Sequence, residues 1–137
     1  MMVVTASTLI TVGMTRLLEE TLTRSIIGAF YEVYNALGYG FLEHLYVLAL
    51  EQELIDRGHK VSRQVSVPVY YKGRHLGTQR LDMIVDDKVI IEIKSTFDLH
   101  PAAHRQLRSY LQGTKLQLGF LLHFGPEAKF YRIINSN

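Results

Sequence analysis

The segment VIIEIK, residues 89–94, constrains the fold of this chain more than any other segment. Its nearly continuous apolar character is typical of a central β-strand that is covered on both faces. Alternate residues of a strand point to the same side, so Glu92 and Lys94 share one face with Ile90. Burying an unpaired charge is costly, and these two side chains therefore need partners or a metal ion.

Two amphipathic helices are predicted before the strands. Apolar residues recur at three- and four-residue steps over residues 22–37, and a second helix is expected over about residues 41–57. The glycine-containing break at residues 38–40 is short, so the helices should pack as a hairpin, and Gly58 should be a left-handed cap. The apolar stripe of the second helix is predicted to contain Leu42, Leu45, Tyr46, Ala49, Leu50 and Leu54.

After Gly58 the apolar period changes to two, which predicts β-strands. Turn signals at residues 72–74 and 86–87 separate the first three strands, so the first two should form a hairpin. A third helix is expected from Pro101 to about Gln112, with Gly113 ending it. The predicted strands cover residues 61–71, 75–85, 89–94, 116–123 and 128–134.

The element order ααβββαββ predicts one α/β domain in which helices flank a mixed central β-sheet. We expect this domain at residues 22–137 and a disordered or loosely docked N-terminal arm at residues 1–21. The chain has no cysteine, so any metal must be held by oxygen or histidine. The first fifteen residues lack the basic start of an export signal and are too short and polar to span a bilayer. A cytoplasmic location without membrane attachment is therefore expected.

The charge is distributed unevenly along the chain. Residues 1–56 carry two basic and seven acidic side chains, whereas residues 57–137 carry thirteen and six. No acidic residue lies between Arg57 and Leu81, although six basic residues fall from Arg57 to Arg80. This half of the chain is either a solvated basic surface or a site of contact with a polyanion such as nucleic acid.

Asp82 and Glu92 are candidates for a shared metal site. They lie on neighbouring predicted strands, which are about 4.8 Å apart, so their carboxylates can bind one hard divalent cation. Lys94 could then orient or deprotonate a water molecule, or neutralise charge on a phosphate. The alternative is a buried ion pair between these carboxylates and Lys94. Glu43 is predicted on the inward face of the second helix, as a further ligand or as a first-turn glutamate satisfied by the helix dipole.

The third helix contributes Gln106 and Tyr110, which are four residues apart and are predicted to face inward. An inward glutamine needs hydrogen-bond partners, so Gln106 either holds a catalytic group or phosphate or is a satisfied core residue. Arg105 and Arg108 should turn outward, where they are solvated or contact phosphate.

The sequence resembles the GxxExxY proteins, a family placed in the PD-(D/E)XK nuclease superfamily near the RecB-type exonucleases. The naming motif is GFLEHLY at residues 40–46, and the resemblance continues through RQVSVPVYYKG and IIEIKS to the end of the chain. QLRSY at residues 106–110 looks like the Q-x-x-x-Y motif of the RecB-like branch. The resemblance implies a PD-(D/E)XK core. It also implies that Glu43, Asp82, Glu92 and the main-chain carbonyl of Ile93 bind metal, with Lys94 as the catalytic lysine.

The resemblance therefore implies a nuclease that depends on Mg²⁺ or Mn²⁺ and hydrolyses DNA. For such a nuclease we expect Arg80, Arg105 and Arg108 to contact the substrate. Because no base-reading motif is present, we expect recognition of the DNA backbone or of DNA structure. One alternative is a non-catalytic module that uses the same fold to bind nucleic acid or a protein partner. Another is an assembly protein, such as a homodimer formed through the acidic helical hairpin.

Overall fold

The computed structural model describes the backbone of residues 6–135 and the side chains from residue 19. The elements occur in the predicted order ααβββαββ. They are α1 (Ala6–Leu37), α2 (Glu43–Asp56), β1 (Val61–Tyr71), β2 (Arg74–Val85), β3 (Val89–Lys94), α3 (Ala102–Thr114), β4 (Leu118–Phe124) and β5 (Ala128–Ile134).

Two of the predicted helix boundaries were wrong. Helix α1 begins at Ala6 and not near residue 22, because the intervening segment has no proline and contains good helix formers. Residues 6–21 therefore continue the helix, while residues 1–5 lie outside the described part of the chain. Helix α3 continues through Gly113 to Thr114, because Lys115 provides the left-handed C-cap with φ 61°.

The five strands form one mixed sheet in the order β1-β2-β3-β4-β5. Strands β1, β2 and β3 are joined in antiparallel pairs, β3 and β4 are parallel, and β4 and β5 are antiparallel. Helix α3 provides the crossover that two parallel neighbours require. This arrangement confirms the predicted α/β fold with a mixed central sheet.

Strand β3 is covered on both faces, as its composition predicts. On one side Ile91 and Ile93 pack in the core formed with α1 and α2, and on the other Ile90 packs in the core formed with α3. The apolar stripe predicted for α2 was only partly correct, since Leu42 and Leu45 are 77% and 44% exposed. These two leucines lie at the start of α2, and its buried face consists of Tyr46, Val47, Leu50 and Leu54. None of the helices over the described residues has the length and apolar content needed to cross a bilayer.

Candidate functional site

Strands β2 and β3 separate at the point where the two acidic residues lie. Their antiparallel ladder covers residues 83–85 of β2 and 89–91 of β3. Beyond it, the Asp82 N–H donates to Glu92 Oε1 over 2.8 Å, and the Ile93 N–H donates to Asp82 Oδ2 over 2.8 Å. The two carboxylates thus replace main-chain hydrogen bonds between the diverging strands. This reciprocal arrangement brings Asp82 and Glu92 together, as their positions in the sequence predict.

The first strand has a local irregularity at the same level. Gln64 has a left-handed φ of 51° and lies between the paired residues Arg63↔Met83 and Val65↔Leu81, opposite Asp82. Burial raises the pKa of Asp82, and the positive charge of Arg63 is close enough to oppose this shift. The alternation of apolar and polar residues along β1 does not predict this irregularity.

Glu92 is only 4% exposed, and this burial determines its acidity. Burial first, and then the neighbouring Asp82 carboxylate, raise the pKa of Glu92 to about 8, against the opposing effects of the Asp82 N–H and Lys94. The pKa of Asp82 is also raised by burial, although the Ile93 N–H and the Lys94 ammonium oppose the shift. Glu92 is buried and Asp82 is partly buried, and two adjacent carboxylates that resist ionisation form an environment in which a cation is favourable.

Lys94 ends β3 beside these carboxylates without forming a direct ion pair. The pKa values of Glu43, Asp82 and Glu92 are all raised, and the positive charge of Lys94 opposes each of these shifts. Among residues 19–135, however, no carboxylate oxygen lies within 4.0 Å of the Lys94 Nζ. The alternative of a simple buried ion pair therefore has no support in the described residues. Lys94 instead faces a cleft of about 410 Å³ that is also lined by Thr96, Leu99, His100, Ala102, Ala103 and Gln106.

Glu43 reaches the site from the first turn of α2. The prediction that it lies on the buried face was wrong, because the residue is exposed at the edge of the helical hairpin. Its carboxylate accepts the Ser95 main-chain N–H just beyond β3. Partial burial, followed by repulsion from Asp82, raises the pKa of Glu43. The three carboxylates therefore influence one another although they belong to three different elements.

The GxxExxY motif explains how Glu43 is held. Gly38 and Gly40 both have positive φ angles, of 71° and 117°, which glycine adopts without strain. The Tyr46 hydroxyl donates to the Gly38 carbonyl and accepts the Phe41 N–H. The Ser95 hydroxyl in turn donates to the Phe41 carbonyl over 2.6 Å. Tyrosine and glycine thus fix the loop before α2, and serine fastens that loop to the end of β3.

Tyr110 and Gln106 are adjacent, but only the tyrosine is buried. Tyr110 donates its hydroxyl to the Arg80 carbonyl over 3.0 Å. Burial, followed by repulsion from Glu92 and Asp82, raises the pKa of Tyr110 to about 12. Gln106 is exposed, contrary to the prediction, because it lines the open cleft beside Lys94. It still contacts the Tyr110 hydroxyl through a side-chain hydrogen bond.

The three predicted substrate-binding arginines lie at different distances from this centre. All of them are exposed. Arg80 is two residues before Asp82, and its carbonyl is held by Tyr110. Arg105 lies on the solvent side of α3, as predicted, but Arg108 borders a different groove, beside residues 133–135. The structure thus brings Arg80 near the carboxylates and does not bring Arg108 to the cleft.

The sequence reasoning missed His123. This residue is buried on β4 opposite Lys94, and its Nε2 lies 2.8 Å from the Thr96 carbonyl and 3.2 Å from the Thr96 hydroxyl. Within the described residues its buried Nδ1 has no hydrogen-bond partner. The interaction fixes the chain just after Lys94. The available signal was a single polar residue at the end of the otherwise apolar strand LGFLLHF.

The donor set of this centre suits a hard divalent cation. Among the described residues no three acidic or histidine side chains converge closely enough to form a ready-made metal cluster. Nevertheless, one oxygen of Asp82 and one of Glu92 accept main-chain N–H groups, which leaves the second oxygen of each for another partner. Buried oxygen donors with raised pKa values and a nearby lysine fit Mg²⁺ or Mn²⁺ better than they fit soft metals.

Asp82, Glu92 and Lys94 thus lie on two neighbouring strands of a mixed sheet, just beyond the point where the pairing of β2 with β3 ends. A family model for the PD-(D/E)XK nuclease superfamily matches residues 20–133, which is most of the chain. The chain belongs to this superfamily, whose nucleases generally use divalent metal ions.

Two solved structures are similar to this chain and distant from it in sequence. The crystal structure of SSO0001 is 24% identical with a TM-score of 0.55, covering 69% of this chain and 50% of that one. An alkaline exonuclease (LHK-Exo) from Laribacter hongkongensis is 17% identical with a TM-score of 0.45, covering 63% and 52%. The chain thus spans about half the length of both structures. No curated protein matches the sequence.

Proposed function

We propose that this protein is a nuclease that depends on Mg²⁺ or Mn²⁺ and hydrolyses phosphodiester bonds in DNA. The observation that carries the proposal is the reciprocal pair formed by Asp82 and Glu92, in which burial and mutual repulsion raise the pKa of Glu92 to about 8. Ionising two carboxylates in this arrangement lowers the stability of the fold. A bound cation makes their ionisation favourable.

In this proposal Glu43, Asp82 and Glu92 bind the metal, and the carbonyl of Ile93 is a further ligand. The N–H of Ile93 is bonded to Asp82 Oδ2. The N–H and C=O of one strand residue point to the same side, so the Ile93 carbonyl is directed at the same gap. When bound, the divalent ion would supply Lewis acidity to a phosphoryl oxygen and to the attacking water.

Lys94 orients the attacking water and stabilises negative charge on the phosphate. Its ammonium is suited to this role because no carboxylate in the described residues forms an ion pair with it and because it faces an open cleft. Gln106 lines the same cleft and contacts Tyr110, so this pair is suited to orient the DNA backbone. Arg80 and the exposed Arg105 and Arg108 would contact phosphates farther along the strand.

Assignment to the GxxExxY family and to the RecB-like branch is part of the same proposal. It is supported by the loop that Tyr46 and Ser95 fasten around Glu43. It is also supported by the contact of Gln106 with Tyr110 across one turn of α3. Both contacts give the motif residues a physical role beside the carboxylates.

Cleavage of labelled linear, circular and branched DNA with Mg²⁺, Mn²⁺ or EDTA tests the proposal. We expect metal-dependent cleavage that Glu92→Gln and Lys94→Ala each reduce by at least about 100-fold, because the first weakens metal binding and the second removes a group that stabilises charge in the transition state. The controls are Glu20→Gln, at an exposed residue, and Lys60→Ala, at an exposed lysine paired with Asp87. Failure of the wild type to cleave any substrate with either metal would refute the stand-alone enzyme and favour the non-catalytic binding module.

A further inference from the structure

The hairpin of β1 and β2 extends far beyond the rest of the sheet. Strand β2 pairs with β3 only over residues 83–85, whereas its pairing with β1 continues to Tyr71↔Arg74. We refer to residues 66–80 as the arm. The eight residue steps from Asp82 to Arg74 correspond to roughly 26 Å of extended strand. The arm therefore leads from the candidate metal site to a distant tip.

The base of the arm is fixed relative to the site. Gln79 and Ser109 exchange two hydrogen bonds, of 2.8 and 3.1 Å, and the Arg80 carbonyl accepts the Tyr110 hydroxyl. Val67 is buried in the core beneath α3. Because α3 also carries Gln106 beside Lys94, the arm and the candidate site are attached to the same helix. A strand that lies along the arm would thus have a defined path to the site.

The tip of the arm exposes aromatic rings. Tyr70 and Tyr71 are each 61% exposed and are the last two residues of β1, directly before the two-residue turn. Lys72 and Gly73 form that turn with positive φ angles of 49° and 77°. Such a turn suits the right-handed twist of a hairpin and requires no aromatic residue. Tyr70 contacts the ring of its cross-strand partner His75, but this contact leaves both tyrosine rings largely exposed.

The charge of the arm is entirely positive. No acidic residue lies between Arg57 and Leu81. In the part of the chain that the structure describes, no carboxylate pairs with Lys72, Arg74 or Arg80. The Lys72 ammonium lies 5.5 Å from the centre of the Tyr71 ring. Unpaired basic groups interleaved with exposed aromatic rings are the features of a surface that binds single strands of nucleic acid.

We propose that the arm binds unpaired nucleotides of the substrate strand, with Tyr70 and Tyr71 stacking on bases and Lys72, Arg74 and Arg80 contacting phosphates. The inference rests on the proposed nuclease function and adds its substrate class. A duplex covers the faces of its bases, so basic residues alone would suffice to bind one. Two exposed rings gain contacts only where base faces are free.

Binding of a labelled single-stranded thymidine oligonucleotide, compared with a blunt duplex, tests this proposal. Fluorescence anisotropy in EDTA measures affinity without cleavage. We expect the wild-type chain to prefer the single strand and the Tyr70→Ala, Tyr71→Ala double variant to bind it at least about tenfold more weakly, because the variant loses both rings on which bases stack. The Tyr70→Phe, Tyr71→Phe variant should retain the affinity because it keeps both rings. Tyr31→Ala is the matched control, at an exposed tyrosine on α1 outside the arm.

Salt dependence separates the two kinds of contact. Lys72→Ala and Arg74→Ala should each lower the slope of log affinity against log salt by about 0.7, because each removes one phosphate contact. The tyrosine variants should weaken binding and leave the slope unchanged. An unchanged affinity of the double alanine variant would overturn the proposal. So would a change of oligomeric state in that variant without a change of affinity, because the rings would then belong to a protein interface.

The proposal about the arm can fail separately from the proposed nuclease. Cleavage of the same oligonucleotide is measured with Mn²⁺, and melting temperatures verify that every variant folds. Arm-dependent binding without cleavage by the wild type would contradict the nuclease and support the arm. Metal-dependent cleavage that the arm variants perform with unchanged affinity and rate would support the nuclease and contradict the arm.

Discussion

Glu92 is the residue whose environment departs most from that of a free side chain. Its pKa is raised from 4.5 to about 8, first by burial and then by Asp82. A carboxyl that holds its proton more tightly in the folded than in the unfolded state stabilises the fold at low pH. Without metal, the stability should therefore fall as the pH rises from about 4.5 to about 8. Loss of that stabilisation is a direct consequence of the predicted site.

Glu92→Gln should remove most of this pH dependence, because glutamine keeps an oxygen acceptor for the Asp82 N–H and carries no charge. In EDTA we expect the variant to melt roughly 5 °C above the wild type at pH 8, with a much smaller difference at pH 5. Differential scanning fluorimetry measures both temperatures, with Glu20→Gln as the exposed control. Parallel melting curves for wild type and variant across this pH range would contradict the buried, proton-binding state of Glu92.

Metal binding should reverse the same destabilisation. Mg²⁺ or Mn²⁺ that binds only the folded state raises the melting temperature by mass action. Because the ion must compete with the proton on Glu92, we expect a larger increase at pH 8 than at pH 6. Asp82→Asn and Glu92→Gln should lose the increase, whereas Asp87→Asn, at an exposed carboxylate, should keep it. An increase that is equal in all four proteins would indicate nonspecific binding.

At the scale of elements, the loop before α2 determines where Glu43 lies. Tyr46→Phe leaves the Gly38 carbonyl and the Phe41 N–H without their partner, which should lower the free energy of unfolding by about 1–3 kcal/mol. It should also reduce the metal-induced increase in melting temperature, because Glu43 is no longer held over the end of β3. Urea unfolding and fluorimetry measure the two effects.

Tyr34→Phe is the matched control for this prediction. The Tyr34 hydroxyl also donates to main-chain carbonyls, those of Gly125 and Pro126, at 2.8 and 2.9 Å. We expect it to retain the metal-induced increase in melting temperature, whatever stability it loses. If both substitutions weakened metal binding equally, the effect of Tyr46 would be one of general stability and not of positioning.

At the scale of the whole molecule, a polar link joins three elements on the side of the helical hairpin. Asp86 Oδ2 bonds His59 Nδ1 over 2.7 Å, and His59 Nε2 bonds the Ser25 hydroxyl over 2.7 Å. The Lys60 N–H donates to Asp86 Oδ1 over 2.8 Å. Burial alone would raise the pKa of Asp86, but the Lys60 N–H and His59 hold it below its usual value. The link connects α1, the start of β1 and the turn between β2 and β3.

Asp86→Asn should lower the free energy of unfolding at neutral pH by about 1–3 kcal/mol, the range for a hydrogen bond that involves a charge. A lowered pKa contributes stability above the unfolded value of 3.8, and this contribution is lost as the pH falls through the folded value. The difference from the wild type should therefore shrink below about pH 4. Urea unfolding at both pH values measures it.

Asparagine keeps the preference for the left-handed backbone that Asp86 adopts, so the substitution tests the side chain. Asp87→Asn is the control, because Asp87 has a similar φ of 58° but forms only an exposed ion pair with Lys60. Its cost should be below about 1 kcal/mol. Equal losses for the two substitutions would show that the turn, and not the link, is responsible.

The order of elements and the central strand could be predicted from the sequence, because both depend on local periodicity. Residues 89–93 are buried because nearly every side chain is apolar, and the change of period at Gly58 determines where helices end and strands begin. The start of α1 could not be predicted in this way. Its first residues have helix propensity without an amphipathic pattern, so a criterion based on periodicity places the start of the helix near residue 22.

For the candidate site, the residue pattern alone predicts charged side chains at Asp82, Glu92 and Lys94 on strands that are otherwise apolar. How these side chains meet depends on the packing of the elements. The reciprocal hydrogen bonds between β2 and β3, the exposed position of Gln106, and the contact of His123 with Thr96 all join residues that are distant in the chain. Periodicity reports which side of an element a residue occupies. It carries no information about where two strands diverge or which loop covers their ends, because those depend on packing between elements.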